Sequence, residues 1–547
     1  MISSPRALED LGLDPEEVNS DKFRRIVSGQ FYINNEKLID RSCNFPFPYA
    51  QAYAGWQFGQ FAGQLGDGRV TNLFEVEKPT SNSSANRNKY EIQLKGSGKT
   101  PFARFADGKA IIGSSIREYL ISEHLNALKI PTTRALSLTY LPKTYAQRSE
   151  GAKRCAIVAR FAELWVRLGT FDLYRWRGDR DGIKQLSDYV IEELFTVEGE
   201  KFSHFNALMS AKNDFFQGSS TSIGTLTDYD KMYYETTIRN AITAAQWQAY
   251  GFLNGVLNTD NTSILGLSLD FGPFEIFDKF YPNFTPNTSD HERRYSYKNT
   301  PTVIWWNLTR LGEDLAELIG AGKDLLQDPE FKNGTVKPEW EKKIISRATK
   351  VIEVAGEVYK YALTKQYVES FFGRLGIEKS KVDVKNPDVQ NLEIILSLLS
   401  ILLKVQCDFN KFFLVLQNSE LDAKIVAEKL FAVDESEEFS SILKEEFIVE
   451  FEKWLTVLKP FVENDANRRL IASEHNPLFL PRTWILQEVI DEIEELKGED
   501  LGKLKKLQKM TIYPFDRSKW GDEMKELENK WLVQGEKMSM MQCGGCS

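Results

Sequence analysis

Cysteine and histidine are scarce in this chain of 547 residues, at five and four respectively. So low a cysteine content rules out a disulfide framework as the organising principle. Cys43, Cys155 and Cys407 stand alone in apolar or mixed contexts and read as buried, inert thiols, whereas Cys543 and Cys546 form "CGGC" close to the end. His124, His204, His291 and His475 have no ligand-type spacing, which argues against a His/Cys zinc site. Excess positive charge is missing as well. The net charge is -9 and the isoelectric point about 5.4, so the chain lacks the basic field of a general nucleic-acid binder. Long hydrophobic runs are also absent. "IILSLLSILL", from Ile394 to Leu403, lies between Glu393 and Lys404 and is about half of the roughly 20 residues a membrane span needs. It reads as a buried helix. The opening "MISSPRALEDLGLDPEE" has no apolar segment of signal-peptide type and is too acidic for a clear transit peptide. No internal repeat is visible.

What the chain does have is core-forming bulk, with 42% hydrophobic residues, 11 Trp and 35 Phe alongside 27% charged residues. That is the composition of a soluble globular protein with a large core, of two to four domains or one large enzyme with extensions. The first third is rich in Gly and short apolar runs. "TNLFEVEKPTSNSSANRNKYEIQLKG" predicts strand, polar loop (Thr80 to Asn88) and strand. "SSIREYLISEHLNALKIP" predicts a helix from Ser114 or Ser115 to before Pro131, with Ile116, Tyr119, Leu120 and Ala127 as its apolar stripe. "RALSLTYLP" and "KRCAIVARFAELWVRLG" read as strands. From about Asp188 the pattern turns helical, through "DYDKMYYETTIRNAITAAQWQAYGFLNGVLNT". Beyond Thr302 nearly everything is amphipathic helix, including "PEWEKKIISRATKVIEVAGEVYKYAL" and "VIDEIEELKGEDLGKLKKLQKM".

"EIQLKGSGKT", Glu91 to Thr100, ends like a phosphate-binding P-loop, which requires Gly, four residues, then Gly-Lys-Ser/Thr. Five residues before Gly98 stands Gln93, not Gly, and Pro101 pushes Thr100 away from helical geometry. Lys99 is therefore not a P-loop lysine, and Lys95 is the better candidate. Alternation puts Tyr90, Ile92 and Leu94 on one face and Glu91, Gln93 and Lys95 on the other. A lysine ending a strand after a Gly-rich hairpin and before a helix can offer a cation to ATP phosphates, and it needs a carboxylate to hold it. Glu118 is placed for that role, although Ser115-x-x-Glu118 also fits a capping box.

A second constellation lies in "NTDNTSILGLSLDFGPF". Asp260 and Asn261 are adjacent, and Asp270 opens Asp-Phe-Gly after a short apolar segment, "SILGLSL", expected to be a strand. An Asn and an Asp flanking a hairpin can share one Mg²⁺, which favours hard oxygen ligands; the plain alternative is a pair of Asx-type turns. No His-Arg-Asp with an Asn five residues on is present, unlike in ordinary protein kinases.

The chain resembles the selenoprotein O (YdiU) family over essentially its whole length. The resemblance is carried by "PYAQAYAGWQFGQFAGQLGDGR", "EIQLKGSGKTPFARFADGKAIIGSSIREYLISEHLNALKIPTTRALSL", "NTDNTSILGLSLDFGPFEIFD" and "RYSYKNTPTVIWWNLTRL", in that order. It implies an α+β fold of bilobal, protein-kinase-like type. Its parts would be a strand-rich N-terminal lobe (1–145), a hinge and metal-binding part of the helical C-terminal lobe (146–300), a helical extension (301–530) and a redox tail (531–547). It further implies a pseudokinase that binds ATP flipped, moves AMP to Ser, Thr or Tyr hydroxyls of client proteins and releases pyrophosphate. The cation would be Mg²⁺, or Mn²⁺ in its place, and the compartment the mitochondrion, with the cytoplasm as the alternative.

Carried over to this sequence, the family pattern assigns Gly66, Gly68 and Arg69 to a nucleotide-binding loop, Lys95 and Glu118 to the strand–helix pair, and Asp107 and Gly108 to a further nucleotide contact. Arg160 and Arg167 become phosphate-binding arginines, suited to bidentate clamps, though unaided they read as surface residues. Asp260 matches the general base, and Asn261 and Asp270 the metal ligands, with Asp270 also facing the nucleotide. Trp56 stands where the family often has His, and Thr285 and Pro286 where some members carry cysteines, so a disulfide from there to the tail is not available. A redox-active tail would pair Cys543 with Cys546 or with a client thiol. The rival readings are a kinase that moves the γ-phosphate and a non-catalytic ATP-binding redox scaffold.

Overall fold

Strand formation in "KYEIQLK" follows from burial on both faces. Ile92 and Leu94 enter an apolar cluster with Leu73, Leu136, Ile157 and Phe161, while Gln93 and Lys95 on the opposite face are also buried. The computed structural model describes residues 1–34, 37–38, 47–79, 89–149, 151–197, 199–212, 215, 223–382, 391–431 and 437–533. Cys43, the Thr80–Asn88 loop, and Cys543 and Cys546 of the expected redox tail lie outside the described residues.

The protein is mixed α+β, with an antiparallel sheet in its N-terminal part and a largely helical C-terminal part. Strands β1 (Ile2–Ser3), β4 (Val70–Glu77), β5 (Lys89–Lys95), β6 (Ala110–Ile111), β7 (Arg134–Arg148) and β8 (Gly151–Ala162) form one sheet. Its order is β1-β7-β8-β5-β4, with β6 on β8. β2 (Ala52–Gln57) and β3 (Gln60–Gly66) make a separate hairpin. The register that matters pairs Lys95 with Val158 and Gln93 with Arg160, which places Arg160 beside the end of β5. The strand expected to continue through "FAELWVRLG" ends at Ala162; helix α2 (Leu168–Trp176) begins six residues later.

Helix α1 (Ile112–Ala127) starts before Ser114, and Ile111 gives it no side-chain cap. The capping-box reading therefore fails: the Ser115 hydroxyl donates to Ile111 O at 2.9 Å, and Glu118 has other partners. The "DYDKMYY" segment forms α3 (Asp228–Tyr250), started by a Thr227–Asp230 capping box. It packs on the 38-residue α4 (Pro338–Leu375). "VIDEIEELKGEDLGKLKKLQKM" is not one helix. It breaks into α5 (Thr483–Glu495) and α6 (Gly502–Ile512), with Lys497 and Gly498 at φ 56° and 74° between them. Both return to α1: Arg117 donates to Gln487 at 3.1 Å, Gln508 to the Tyr119 hydroxyl at 2.6 Å, and His124 Nδ1–H to Thr511 O at 3.1 Å. The "IILSLLSILL" segment is a helix with Ile394, Ile395, Leu398 and Leu402 fully buried. Among the described residues no helix is long and apolar enough to cross a membrane.

Candidate active site

Lys95 is 5% exposed and so is not a solvated strand end. Its ammonium lies 2.6 Å from Glu118 and 3.6 Å from Asp270. Arg160, at 2% exposure, reaches the other Glu118 oxygen at 2.6 Å and also donates to Gln93 and, at 3.3 Å, to Leu269 O. One carboxylate on α1 thus orients two cations presented by neighbouring strands. Removing one partner from such a buried set leaves uncompensated charge and is strongly destabilising. Lys99, four residues on, is exposed on the turn beyond Gly96.

Arg167 is likewise buried, at 4%, not a surface residue. It pairs with Asp67 at 3.0 Å and lies over the Tyr53 ring at 4.4 Å. Burial opposes its charge, but Asp67, Tyr53, Asp270 and Asp260 outweigh burial and raise its pKa. Asp67 sits in the "GDG" turn between β3 and β4, so that turn is anchored through its aspartate. Its glycines answer to close packing: a Cβ at Gly66 would meet the Phe102 ring at 2.4 Å, and one at Gly68 the Phe102 carbonyl at 3.1 Å. Arg69 of the same turn acts on Asp270 through its charge. Asp107 and Gly108 stand apart from this network. Asp107 binds Arg148, at the end of β7, at 2.9 Å, whereas Gly108, at φ 71°, accepts from Gly98 N–H at 3.2 Å and is tied to the turn after Lys95.

Asp260 and Asn261 lie on a single 3₁₀ turn, Thr259–Asn261. "SILGLSL" is not a strand but a tight loop, closed by an isolated Thr262–Ser268 bridge. Gly266, at φ 72°, approaches the Arg239 backbone too closely for any side chain: an added Cβ would lie 2.7 Å from the Arg239 carbonyl carbon. That loop brings Asp270 back to within 3.6 Å of Lys95. Burial pushes Asp260 up to about 6, opposed by a hydrogen bond from Gln57 and the charge of Arg167. Asp270 goes the other way. Its surroundings disfavour charge, but Lys95, Arg160, Arg69 and Arg167 together hold it well below the ordinary carboxylate range. Its side chain keeps 35% exposure, so solvent reaches it. Two neighbouring carboxylates are therefore driven apart, one towards a proton acceptor near neutrality and one towards a permanent anion.

Comparison with known proteins adds the chemistry that this geometry leaves open. The family model described as "Protein adenylyltransferase SelO" matches residues 1–512. The chain belongs to the SelO protein adenylyltransferase family. It is 37% identical to the mitochondrial protein adenylyltransferase SelO of Saccharomyces cerevisiae, covering 100% of this chain and 88% of that protein. The Schizosaccharomyces pombe counterpart is 36% identical with the same coverage. The protein nucleotidyltransferase YdiU of Klebsiella pneumoniae subsp. pneumoniae is 32% identical over 86% of this chain and 81% of its own. SelO family membership makes the enzyme class a protein adenylyltransferase and implies ATP and proteins as substrates.

A divalent cation fits the SelO-family residues present. Asn261 turns its amide N–H₂ to Val256 O at 3.0 Å, which directs its oxygen the other way, and Asp270 remains an anion among cations. No group of three or more His, Cys, Asp or Glu among the described residues forms a metal cage. One Asp and one Asn completed by substrate phosphates is the pattern for Mg²⁺.

Several contacts around Asp260 escaped the sequence reading. Gln57 Nε2 donates to Asp260 Oδ2 at 3.1 Å, and Trp56 N–H to the Thr259 hydroxyl at 2.9 Å. Asp172 accepts from Trp56 Nε1 at 3.2 Å and from Thr259 at 2.6 Å. A Cβ at Gly55 would lie 2.5 Å from Asp260 Oδ1, and one at Gly169 would lie 3.0 Å from Asp260 Cα. "GWQFG" offered the only signal, since two glycines flanking three bulky residues mark a close backbone approach.

Proposed function

We propose that this site transfers AMP from ATP to Ser, Thr or Tyr hydroxyls of client proteins, with the chain arranged as a kinase-like N-terminal lobe (1–145), a hinge and metal-binding segment (146–300), a helical extension (301–530) and a redox tail (531–547). The observation that carries this reading is the shared ion-pair network in which Lys95 touches both Glu118 and Asp270. It joins the strand lysine to the Asp-Phe-Gly carboxylate, and membership of an adenylyltransferase family supplies the direction of transfer.

Lys95, Arg69, Arg160 and Arg167 bind the triphosphate, with Gly66 and Gly68 leaving room at the turn and Asp107 and Gly108 shaping the loop above it. Glu118 fixes Lys95 and Arg160. Asp260 takes the proton of the acceptor hydroxyl as its oxygen bonds to the α-phosphorus. The bond from that phosphorus to the bridging oxygen of pyrophosphate breaks, and pyrophosphate leaves with both electrons of that bond. A positioned base of this kind contributes about 10²–10⁴-fold. Mg²⁺, or Mn²⁺ in its place, held by Asn261 and Asp270 would offset phosphate charge. Cys543 and Cys546 link the activity to thiol redox state. The mitochondrion is the compartment that the two fungal relatives' names support.

Incubation with α-labelled and γ-labelled ATP tests the reaction. Protein label from the α position alone is expected, with a mass increment of one AMP on the intact protein or client. Label from the γ position alone would establish a phosphotransferase instead.

A further inference from the structure

The β2–β3 hairpin grips the turn that carries Asp260 at three successive residues. Trp56 N–H donates to the Thr259 hydroxyl at 2.9 Å, Gln57 Nε2 to Asp260 Oδ2 at 3.1 Å, and Phe58 N–H to the Tyr295 hydroxyl at 2.7 Å. Tyr295 in turn donates to Asn258 Oδ1. Phe58 takes φ 51° to make this turn, followed by Gly59 at 82°, so the tip is bent to present its donors. The two carboxylate oxygens of Asp260 are not equivalent. Oδ1 is buried, has no hydrogen-bond partner among the described residues and lies 2.5 Å from where a Cβ of Gly55 would be, whereas Oδ2 receives the Gln57 amide. A carboxylate oxygen has two lone pairs, so the Gln57 bond leaves one on Oδ2 for a second donor.

We propose that Gln57 is a positioning residue for AMP transfer: it locks the Asp260 carboxylate so that Oδ2, with Oδ1 sealed against Gly55, is the oxygen that meets the acceptor hydroxyl. The inference rests on Asp260 being the base. It follows because an unrestrained carboxylate rotates about its Cβ–Cγ bond, and the sealed side holds Oδ1 only by contact. Gln57 acts on the reacting oxygen through Asp260, and the cations assigned to ATP, Arg160, Arg167, Lys95 and Arg69, lie on other elements.

The test is a cycle of Gln57→Leu and Asp260→Asn in the full-length enzyme, with α-labelled ATP and a protein acceptor. Gln57→Leu is expected to lower kcat about 10- to 100-fold, the cost of a base displaced by up to about 1 Å, with KM for ATP within twofold of wild type. Added to Asp260→Asn, it is expected to change the residual rate less than twofold, because residues that act as a unit are not additive. Gln57→Glu keeps the shape but sets a second carboxyl against the buried Asp260, and is expected to lose at least as much kcat. Loss confined to KM for ATP, full kcat in Gln57→Leu, or the same loss in the Asp260→Asn background would overturn the positioning role. Full activity of Asp260→Asn alone would instead overturn the assignment of the base.

Discussion

A single methyl group at Gly55 is expected to disable the enzyme without unfolding it. The Cβ of Gly55→Ala would sit 2.5 Å from Asp260 Oδ1 and 2.8 Å from Asp260 Cβ and Cγ, where ordinary van der Waals contact begins at 3.4 Å. The carboxylate must retreat by about 0.6–0.9 Å to restore that separation. Gly55 is not among the residues with positive φ, so alanine fits its backbone and the whole cost falls on the contact. Overpacking of this kind costs about 1–3 kcal/mol of stability. Displacing a catalytic group by about 1 Å costs on the order of 10²-fold in rate, or about 2.7 kcal/mol in the barrier. The assay is initial-rate incorporation of α-labelled AMP into protein, alongside ATP affinity and a thermal melt. A folded Gly55→Ala enzyme with normal ATP affinity and kcat reduced about a hundredfold is expected. A kcat within twofold of wild type would refute the claim that Asp260 must stand against a bare backbone.

Other substitutions probe the rest of the site. Lys95→Ala should reduce kcat/KM for ATP by at least a hundredfold while Lys99→Ala stays within twofold; equal effects in steady-state kinetics would return the P-loop reading to contention. Glu118→Gln leaves Lys95 and Arg160 without their shared anion, so a loss of about 3–5 kcal/mol of stability is expected together with a raised KM for ATP, read by denaturant melts and kinetics. Asp270→Ala should abolish transfer at any Mg²⁺ concentration, whereas a variant rescued by excess Mg²⁺ would remove that residue from the ligand set. Burial of His124 lowers its pKa to about 4 from an ordinary 6.5. Its contribution is therefore complete above about pH 6.5 and is lost as the pH falls through 4, worth about 3 kcal/mol at most. His124→Asn keeps a donor for Thr511 O without titrating, and melts from pH 7 to pH 4 should show a flatter profile than wild type.

Strand β5 and its lysine were legible because alternation is a local property, and Gly98-Lys99-Thr100 failed as a P-loop on spacing alone. The pairing of Lys95 with Glu118 was open, since Ser115-x-x-Glu118 satisfies a capping pattern equally well; only the start of α1 at Ile112 removes that alternative. Arg160 and Arg167 were illegible from composition. A buried arginine differs from an exposed one only by its partners, here Glu118 and Asp67, which are 42 and 100 residues away in sequence. "SILGLSL" was expected to be a strand because it is a short apolar run, but the tight approach at Gly266 makes it a loop.

By itself the sequence determined which residues are equipped for the chemistry: a strand-end lysine, an Asp-Asn pair and an Asp-Phe-Gly, in an order that also carries the family. Those are matters of residue type and short-range pattern, and they survive without a fold. Tertiary structure alone decided the state of each group. It gave Asp260 a pKa near 6 and held Asp270 as an anion, because burial and the placement of four cations depend on elements far apart in the chain. It also set Gly55, Gln57 and Trp56 against the Asp260 turn, some 200 residues downstream. No local pattern could specify that contact, because it exists only once the hairpin has docked.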